Sequence, residues 1–418
     1  MVQGEFLFNN VGQGLFYSGK ISNDNEEAYI VYDCGMGHKP AKKLLNSALC
    51  AAFPRKNTHL NMLVISHFDS DHVDGLSELM KRISRIDLVV MPYMTAEERV
   101  LLACMDENRE IVYRQFLSNP MQFFEQRDVE VGRYVFLTHT EDNGGENDDF
   151  PPRMPDFPME EWVFKYEDKE TRQEFLDTYS LTNEQIKFHV CFDQWKHYAL
   201  GAWIFEFYVR KADESRLKEF SNAINAVLKK RKLHDVKDIF SSPRAIAEIR
   251  SAYDECIDSV RNNTSVVMLH YPYHPNTKEY ILSTRIFNKR IGMGYDFPFY
   301  LGRWFVHPHY QKRHSTVATL LLGDIDLHSD WFGIRQQFKA KLRYICCVLV
   351  PHHGAITSWD ESAFDAINDD GVLWVVSHGI DSQYGHPNNE VIASFTRNNR
   401  CLLSSNEEQK VIVSIVEE

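Results

Sequence analysis

Leu63–Gly75 reads LVISHFDSDHVDG, an apolar run that stops abruptly at His67, Asp69, Asp71 and His72, four potential metal ligands within six positions. Met62–Ser66 has strand character and the polar turn after it predicts a buried strand feeding a loop. Such a turn converges imidazole and carboxylate groups on one point. Those groups suit zinc, manganese or iron, and the two oxygen donors pull toward the harder metals. The competing reading is a polar strand-to-helix turn in which Asp71 or Asp74 caps the helix. Capping accounts for one aspartate and leaves two histidines and another aspartate unexplained.

Working outward, Glu5–Phe8, Ala28–Asp33 and Asp87–Met91 read as strands, the first two followed by the turn signals GQG and CGMG. Leu76, Leu79, Met80 and Ile83 recur at helical spacing, which predicts one helix over Val73–Ile86. From Thr95 to about Leu200 the pattern is irregular, with a helix expected at Glu97–Phe116 and an acidic, Pro-rich stretch at Glu141–Pro158 too polar to bury. Ala202–Val209 is a strong strand. Two charged helices follow, about Glu214–Lys232 and Pro243–Arg261. Strands at Ser265–His270 and Thr316–Leu322 bracket an aromatic, histidine-bearing excursion expected to form an elongated hairpin. Ile345–Val350, Val372–Ser377 and Val411–Ile415 then read as strands, with helices near Glu361–Ala366 and Asn389–Arg397. Strands alternating with helices require a layered α/β fold.

The chain has 418 residues, room for two or three domain-sized units or for one domain bearing insertions. With 44% hydrophobic and 25% charged residues and a mean hydropathy of -0.39, it reads as an ordinary globular protein. A formal net charge of -13 argues against a broad basic surface that coats nucleic acid, though not against a narrow groove holding a cation. The eight cysteines are scattered without a CxxC pair, so reduced thiols are expected. The start resembles no secretory leader and no apolar run approaches membrane length, from which a soluble cytoplasmic protein with no membrane partner is expected.

His67, Asp69, Asp71 and His72 resemble the HxHxDH signature of the metallo-β-lactamase superfamily, with Asp69 in place of its second histidine. That variant, followed by Gly75, resembles the soluble hydrolase domain of ComEC-type DNA-uptake proteins and their free-standing relatives. The likeness extends to Val11-Gly12-Gln13-Gly14, Tyr32-Asp33-Cys34-Gly35 and Asn262-Asn263-Thr264-Ser265-Val266-Val267. It continues through Gly323-Asp324, Pro351-His352-His353-Gly354 and Tyr384-Gly385-His386-Pro387. A lone GD or HHG carries little; the whole series in the family's order is specific. It covers the two ends of the chain and passes over roughly Thr95–Leu200 and most of Lys211–Arg261. Nothing resembles the membrane channel of those proteins, so DNA uptake is not implied.

The resemblance implies a four-layer αββα metallo-β-lactamase sandwich with large insertions. Residues 1–94 form its N-terminal half, 95–200 a loop-rich insertion, 201–210 a core strand, 211–261 a helical insertion and 262–418 the C-terminal half. It implies one or two divalent ions, zinc or manganese, held by His67, Asp69, Asp71, His72, Asp324 and His386, with Asp324 as the bridging carboxylate. Asp71 would orient or deprotonate the attacking water. Either His352 or His353 would bind metal or protonate the leaving group, since histidine titrates near neutrality. Where many members carry a further metal histidine this sequence has Asn262 and Asn263, which leaves one tight and one loose ion as open as two equal ones. His270, His274, His307, His309 and His314 carry little motif specificity and read as surface or packing residues. Tyr271, Tyr273, Phe297, Tyr300, Trp304 and Phe305 read as hairpin packing rather than as base-stacking platforms.

A metal-dependent hydrolase follows, with a phosphodiester, in a nucleic acid strand or a small nucleotide, as the substrate class the resemblance implies. Hydrolysis of an ester, thioester or lactam fits the same ligands. A third alternative is a non-enzymatic metal-binding sensor whose insertions engage a protein partner.

Overall fold

The computed structural model describes residues 1–24, 26–37, 42–105, 111–137, 190–193, 197–200, 203–209, 214–234, 237–253, 265–272, 278–288, 293–296, 300–301, 304–305, 316–367 and 371–418. In chain order the strands are β1 (Gln3–Phe8), β2 (Phe16–Ser22), β3 (Glu27–Cys34), β4 (Thr58–Val64), β5 (Ile83–Pro92), β6 (Glu130–Leu137) and β7 (Val190–Asp193). Next come β8 (His197–Leu200), β9 (Trp203–Val209), β10 (Val266–Pro272), β11 (Tyr280–Asn288), β12 (Met293–Asp296) and the short pair β13 (Tyr300–Leu301) and β14 (Trp304–Phe305). The last are β15 (Ala318–Leu321), β16 (Ile345–Leu349), β17 (Leu373–Ser377), β18 (Cys401–Ser405) and β19 (Gln409–Glu417).

A ten-stranded sheet has the order β12-β11-β19-β1-β2-β3-β4-β5-β6-β7, and a seven-stranded sheet the order β18-β17-β16-β15-β10-β9-β8. Within each, one half is parallel: β3 to β7 in the first and β15 to β18 in the second. Period-two alternation explains why the sheets stack. Met62 and Val64 of β4, Leu88 and Val90 of β5, Phe205 and Phe207 of β9, and Cys347 and Leu349 of β16 all enter one core between the sheets. Their neighbours Leu63, Val89 and Met91 face an outer core with the helices beside the first sheet. Ile204, Leu269 and Val348 face a third core against the helices Leu327–Phe338 and Asn389–Arg397. Two helical layers therefore enclose two sheets, a four-layer α/β sandwich. Burying each large apolar side chain contributes roughly 1.5–3 kcal/mol, so a site rimmed by three such cores rests on a stiff frame.

Several local expectations change. The single helix over Val73–Ile86 is instead two short helices, Ser70–Val73 and Leu76–Met80, after which β5 begins at Ile83. Ile83 and Ile86 face the same outer core as Leu76 and Leu79, which mimics helical spacing, but the β-branched pair ladders with Thr58 and Leu60 of β4. The helix expected at Glu97–Phe116 comprises Ala96–Met105 and Ile111–Ser118, with residues 106–110 outside the described set. The excursion after β10 does contain a hairpin, β11 with β12, but it crosses to the first sheet, where β11 pairs with β19. The acidic stretch Glu141–Pro158 and residues Asn262, Asn263, His274, His307, His309 and His314 lie outside the described residues.

The helices of residues 96–125 and 214–253 share the outer core of the first sheet, where Val100, Phe116, Ile224, Val227 and Ile249 are buried together. No helix among the described residues is long and apolar enough to cross a membrane. Cys34, Cys50, Cys104, Cys346, Cys347 and Cys401 are free thiols.

Candidate metal centre

The parallel halves of both sheets end at the same place, where carboxyl ends of strands leave loops free to meet. Beyond β4, the Ile65 N–H still donates to Val90 O (2.8 Å), and then the chain breaks from the ladder. Ser66 O accepts from Val266 N (2.7 Å) and the Tyr32 hydroxyl donates to Val266 O (2.7 Å), so the turn is fastened to both sheets. The helix Ser70–Val73 then presents Asp71 and His72 on successive positions. Gly35 permits this approach: a Cβ there would stand 1.9 Å from Asp71 O. None of the aspartates acts as the helix cap that the bland reading supposed. Asp69 stands at the cap position without a side-chain bond, and Asp74 accepts from Met36 N at 2.9 Å.

From the second sheet, Asp324 follows β15 through Gly323, whose φ is +56°, and His352 and His353 follow β16. His352 (φ 48°) and His353 (φ 54°) both hold left-handed backbone, which costs non-glycine residues about 1–3 kcal/mol each and persists where surrounding structure enforces it. The His352 N–H donating to Gly323 O (3.0 Å) couples these two loops.

Four of the expected ligands meet: His67, Asp71, His72 and Asp324, joined by His353. His67 Nε2 lies 3.7 Å from Asp324 Oδ2, His72 Nε2 3.2 Å from Asp324 Oδ1, and His353 Nε2 3.2 Å from Asp71 Oδ2. Two three-residue groups, His67-His72-Asp324 and Asp71-His72-His353, each offer ligand atoms within 4.8 Å of one another. Asp69 sits at the edge, its Oδ2 4.0 Å from His67 Nε2. His386 falls outside both groups and lies beside His352, with ring centroids 5.6 Å apart. His352 Nε2 is 3.7 Å from Asp324 Oδ2.

The fit to a cation can be judged from the nitrogen atoms. His72 Nδ1 is 2.8 Å from Asp33 Oδ2, His67 Nδ1 2.9 Å from Ser66 Oγ, and His353 Nδ1 2.8 Å from Ser377 O. Each ring spends Nδ1 outward, which fixes the tautomer and leaves a lone pair on Nε2. His67 Nε2, His72 Nε2, His353 Nε2 and Asp324 Oδ1 are all buried without a hydrogen-bond partner. Buried polar atoms in that condition are costly, and their placement in two adjoining groups that share His72 is an arrangement that one or two divalent ions would satisfy.

Without a cation, the carboxylates and imidazoles of the cluster shift one another's charge states instead. Burial pushes the Asp324 and Asp71 carboxyls up, but neighbouring imidazoles, above all His72 for Asp324 and His353 for Asp71, hold both below the ordinary carboxylate range. Burial lowers His72 and His353, and the carboxylates around them more than reverse it. His67 falls to about 4 through burial and the nearby His72, and His386 to about 4 through burial and the HHG pair. Asp69 is raised, by burial and by Asp71 and Asp324; because its side chain keeps 28% exposure, we assign the shift chiefly to those charges.

Asp33, in the quoted YDCG motif, carries an unassigned part of the site. It is fully buried and accepts from Ser66 N (2.7 Å), Ser66 Oγ (2.6 Å) and His72 Nδ1 (2.8 Å). The available signal was positional: Asp33 is the penultimate residue of β3, the parallel neighbour of β4, so its side chain reaches the same rim as His67. His270 proves to be core. Trp203 Nε1 donates to its Nδ1 (3.0 Å), and its Nε2–H must then donate to the Tyr17 hydroxyl (2.7 Å), leaving no atom for a ligand.

No family model and no curated protein matches the chain. Among solved structures it is similar to the metallo-beta-lactamase fold protein YhfI from Bacillus subtilis, at 6% identity and TM-score 0.36 over 100% of both chains. It is also similar to the short form of human tRNase Z, at 7% identity and TM-score 0.34 over 97% of this chain and 98% of that one. A long form RNase Z from yeast shows 10% identity and TM-score 0.34, over 98% of this chain and 41% of that one.

Proposed function

We propose that this protein is a metal-dependent hydrolase of the metallo-β-lactamase type that cleaves phosphodiesters. The observation that carries the reading is the pair of ligand groups, His67-His72-Asp324 and Asp71-His72-His353, that share His72 and bring together four buried ligand atoms without a hydrogen bond. His67, His72 and Asp324, with Asp71 and His353, would hold one or two divalent ions, zinc or manganese; Asp69 and His386 flank them. The cation supplies Lewis acidity that makes water nucleophilic near neutral pH and offsets charge on the phosphoryl group. The similarity of the motif series to ComEC-type hydrolase domains supports a nucleic acid or nucleotide as the substrate class.

The chain's own residues divide the remaining work. Asp33 and Ser66 hold the rings of His72 and His67 in the orientation that faces the substrate. Asp71, aimed by its contact with His353, orients the attacking water. His353 is nearly buried at 4% exposure, whereas His352 keeps 26% and its Nδ1 stands 2.9 Å from Ser358 Oγ. His352 is therefore the member of the pair that protonates the departing oxygen.

The test compares hydrolysis of bis(p-nitrophenyl) phosphate and of a thymidine dinucleotide by wild type, Asp71→Asn and His352→Ala, with Mn²⁺ or Zn²⁺ and with chelator. Cleavage should need the cation and fall steeply in Asp71→Asn. In His352→Ala the dinucleotide, whose leaving group needs a proton, should lose about 10²–10⁴-fold while the nitrophenyl ester loses far less. A chain that holds the cation and cleaves neither ester refutes the phosphodiesterase reading.

A further inference from the structure

Three aromatic rings stand exposed among the described residues: Phe287, Phe332 and Tyr384. Of these, Tyr384 is the one recorded beside a histidine that flanks the candidate centre. It is 52% exposed, and its ring sits 5.9 Å from that of His386 at an interplanar angle of 31°. Among the described residues its hydroxyl has no hydrogen-bond partner, so no polar anchor explains why the ring is displayed.

The turn that displays it is well fixed. Ser382 Oγ accepts from Tyr384 N (3.3 Å), Ser382 O accepts from Gly385 N (3.0 Å), and Asn388 Nδ2 donates to Gly385 O (3.1 Å). Asn388 also reaches across to the HHG loop, where its N–H donates to Gly354 O (3.0 Å) and its Oδ1 accepts from Ile356 N (2.7 Å). The loops of His352 and His386 are thereby stapled together with Tyr384 at their rim. The room beside the ring is open, since a Cβ on Gly385 would meet nothing within 4 Å. Ile356 and Ile380, in the same two loops, are 43% and 44% exposed.

We infer that Tyr384 is the platform on which a nucleobase of the substrate stacks, so that the preferred substrate carries a base beside the scissile phosphate. This rests on the phosphodiester reading and deepens it. A phosphate between His352 and His386 places the attached nucleoside over the neighbouring ring. Stacking is also the affinity that a chain of net charge -13 has available, because it lacks the surplus of Lys and Arg that neutralises phosphates. A flat aromatic face accepts any base, so the preference is for a nucleotide over a plain phosphate ester, with little base selectivity.

Binding decides the matter without turnover. With Mn²⁺ present, calorimetric titration of wild type, Tyr384→Phe and Tyr384→Ala would compare thymidine 5′-monophosphate with methyl phosphate. Wild type should favour the nucleotide by about fivefold to a hundredfold, Tyr384→Phe should keep most of that ratio, and Tyr384→Ala should bring it close to one. An exposed ring tolerates both changes, and circular dichroism checks the fold. A wild type with no nucleotide preference, or a Tyr384→Ala variant that retains it, overturns the inference. Nucleotide preference without cleavage of any diester sinks the phosphodiesterase reading alone; diester cleavage without that preference sinks this one alone.

Discussion

Replacing Asp33 by asparagine tests how the metal centre is organised, because the change is nearly isosteric and lies behind the ligands. In the native site the carboxylate accepts the His72 Nδ1 proton at 2.8 Å, which leaves the lone pair on Nε2. The asparagine carbonyl can keep the bond from Ser66 N, but its amide then faces Ser66 Oγ and His72 Nδ1 with hydrogens. His72 relaxes by moving its proton to Nε2, the atom that must be bare to hold a cation; reversing that shift sets one N–H against another. Loss of such an outer partner lowers metal affinity by about 10–100-fold, or roughly 1.4–2.7 kcal/mol. The assay is competition between the protein and a chromophoric chelator for Zn²⁺ or Mn²⁺, with circular dichroism to show that the variant is folded. A folded Asp33→Asn protein whose affinity lies within about twofold of wild type refutes the reasoning.

Two other perturbations probe the frame. Phe68, fully buried between His67 and Asp69 in the chain, meets Phe116 edge-on at 4.9 Å, and its carbonyl accepts from the Tyr113 hydroxyl at 2.9 Å. Phe68→Ala should cost about 3–5 kcal/mol and weaken metal binding as well, whereas Phe68→Leu should lose much less; thermal denaturation that leaves Phe68→Ala level with wild type contradicts this anchoring. Burial holds His270 down to about 3, against about 6.5 when unfolded. The unfolded chain therefore binds more protons between those values, so this contribution is intact above pH 6.5 and shrinks as pH falls toward 3. From pH 7.5 to 4.5 wild type should lose roughly 3 kcal/mol relative to His270→Gln, which keeps a donor and an acceptor but does not titrate. Urea denaturation showing a constant gap across pH would argue against it.

The centre was legible where ligand types crowd together in sequence, since a strand-end turn holding His67, Asp71 and His72 has few other uses. Asp324 was legible only through the ordered motif series, because a Gly-Asp pair after a strand is ordinarily a turn. His353 as a partner of Asp71, and Asp33 behind His72, depend on which strands lie side by side, and no local pattern records that. The strands and a layered α/β fold were visible as apolar runs, whereas their division into two sheets came only from the resemblance. The crossing of β11 to the first sheet was not, because pairing with β19 joins segments more than a hundred residues apart. The misplaced helix over Val73–Ile86 shows the limit of periodicity: residues on a helix and on the strand after it can line the same core at helical intervals.

The halves of the metal centre are also separated in time. A ribosome delivers Asp33 and the His67–His72 turn roughly 250 residues before Asp324, an interval of about 12–50 seconds at ordinary elongation rates. Through that interval the nascent chain carries His67, His72, Asp33, Asp69 and Asp71 without Asp324, the carboxylate that closes the group, and the segment bearing Asp324, His352 and His353 is still in the ribosomal exit tunnel or unmade. A group that needs Asp324 together with His67 and His72 can assemble only after that interval.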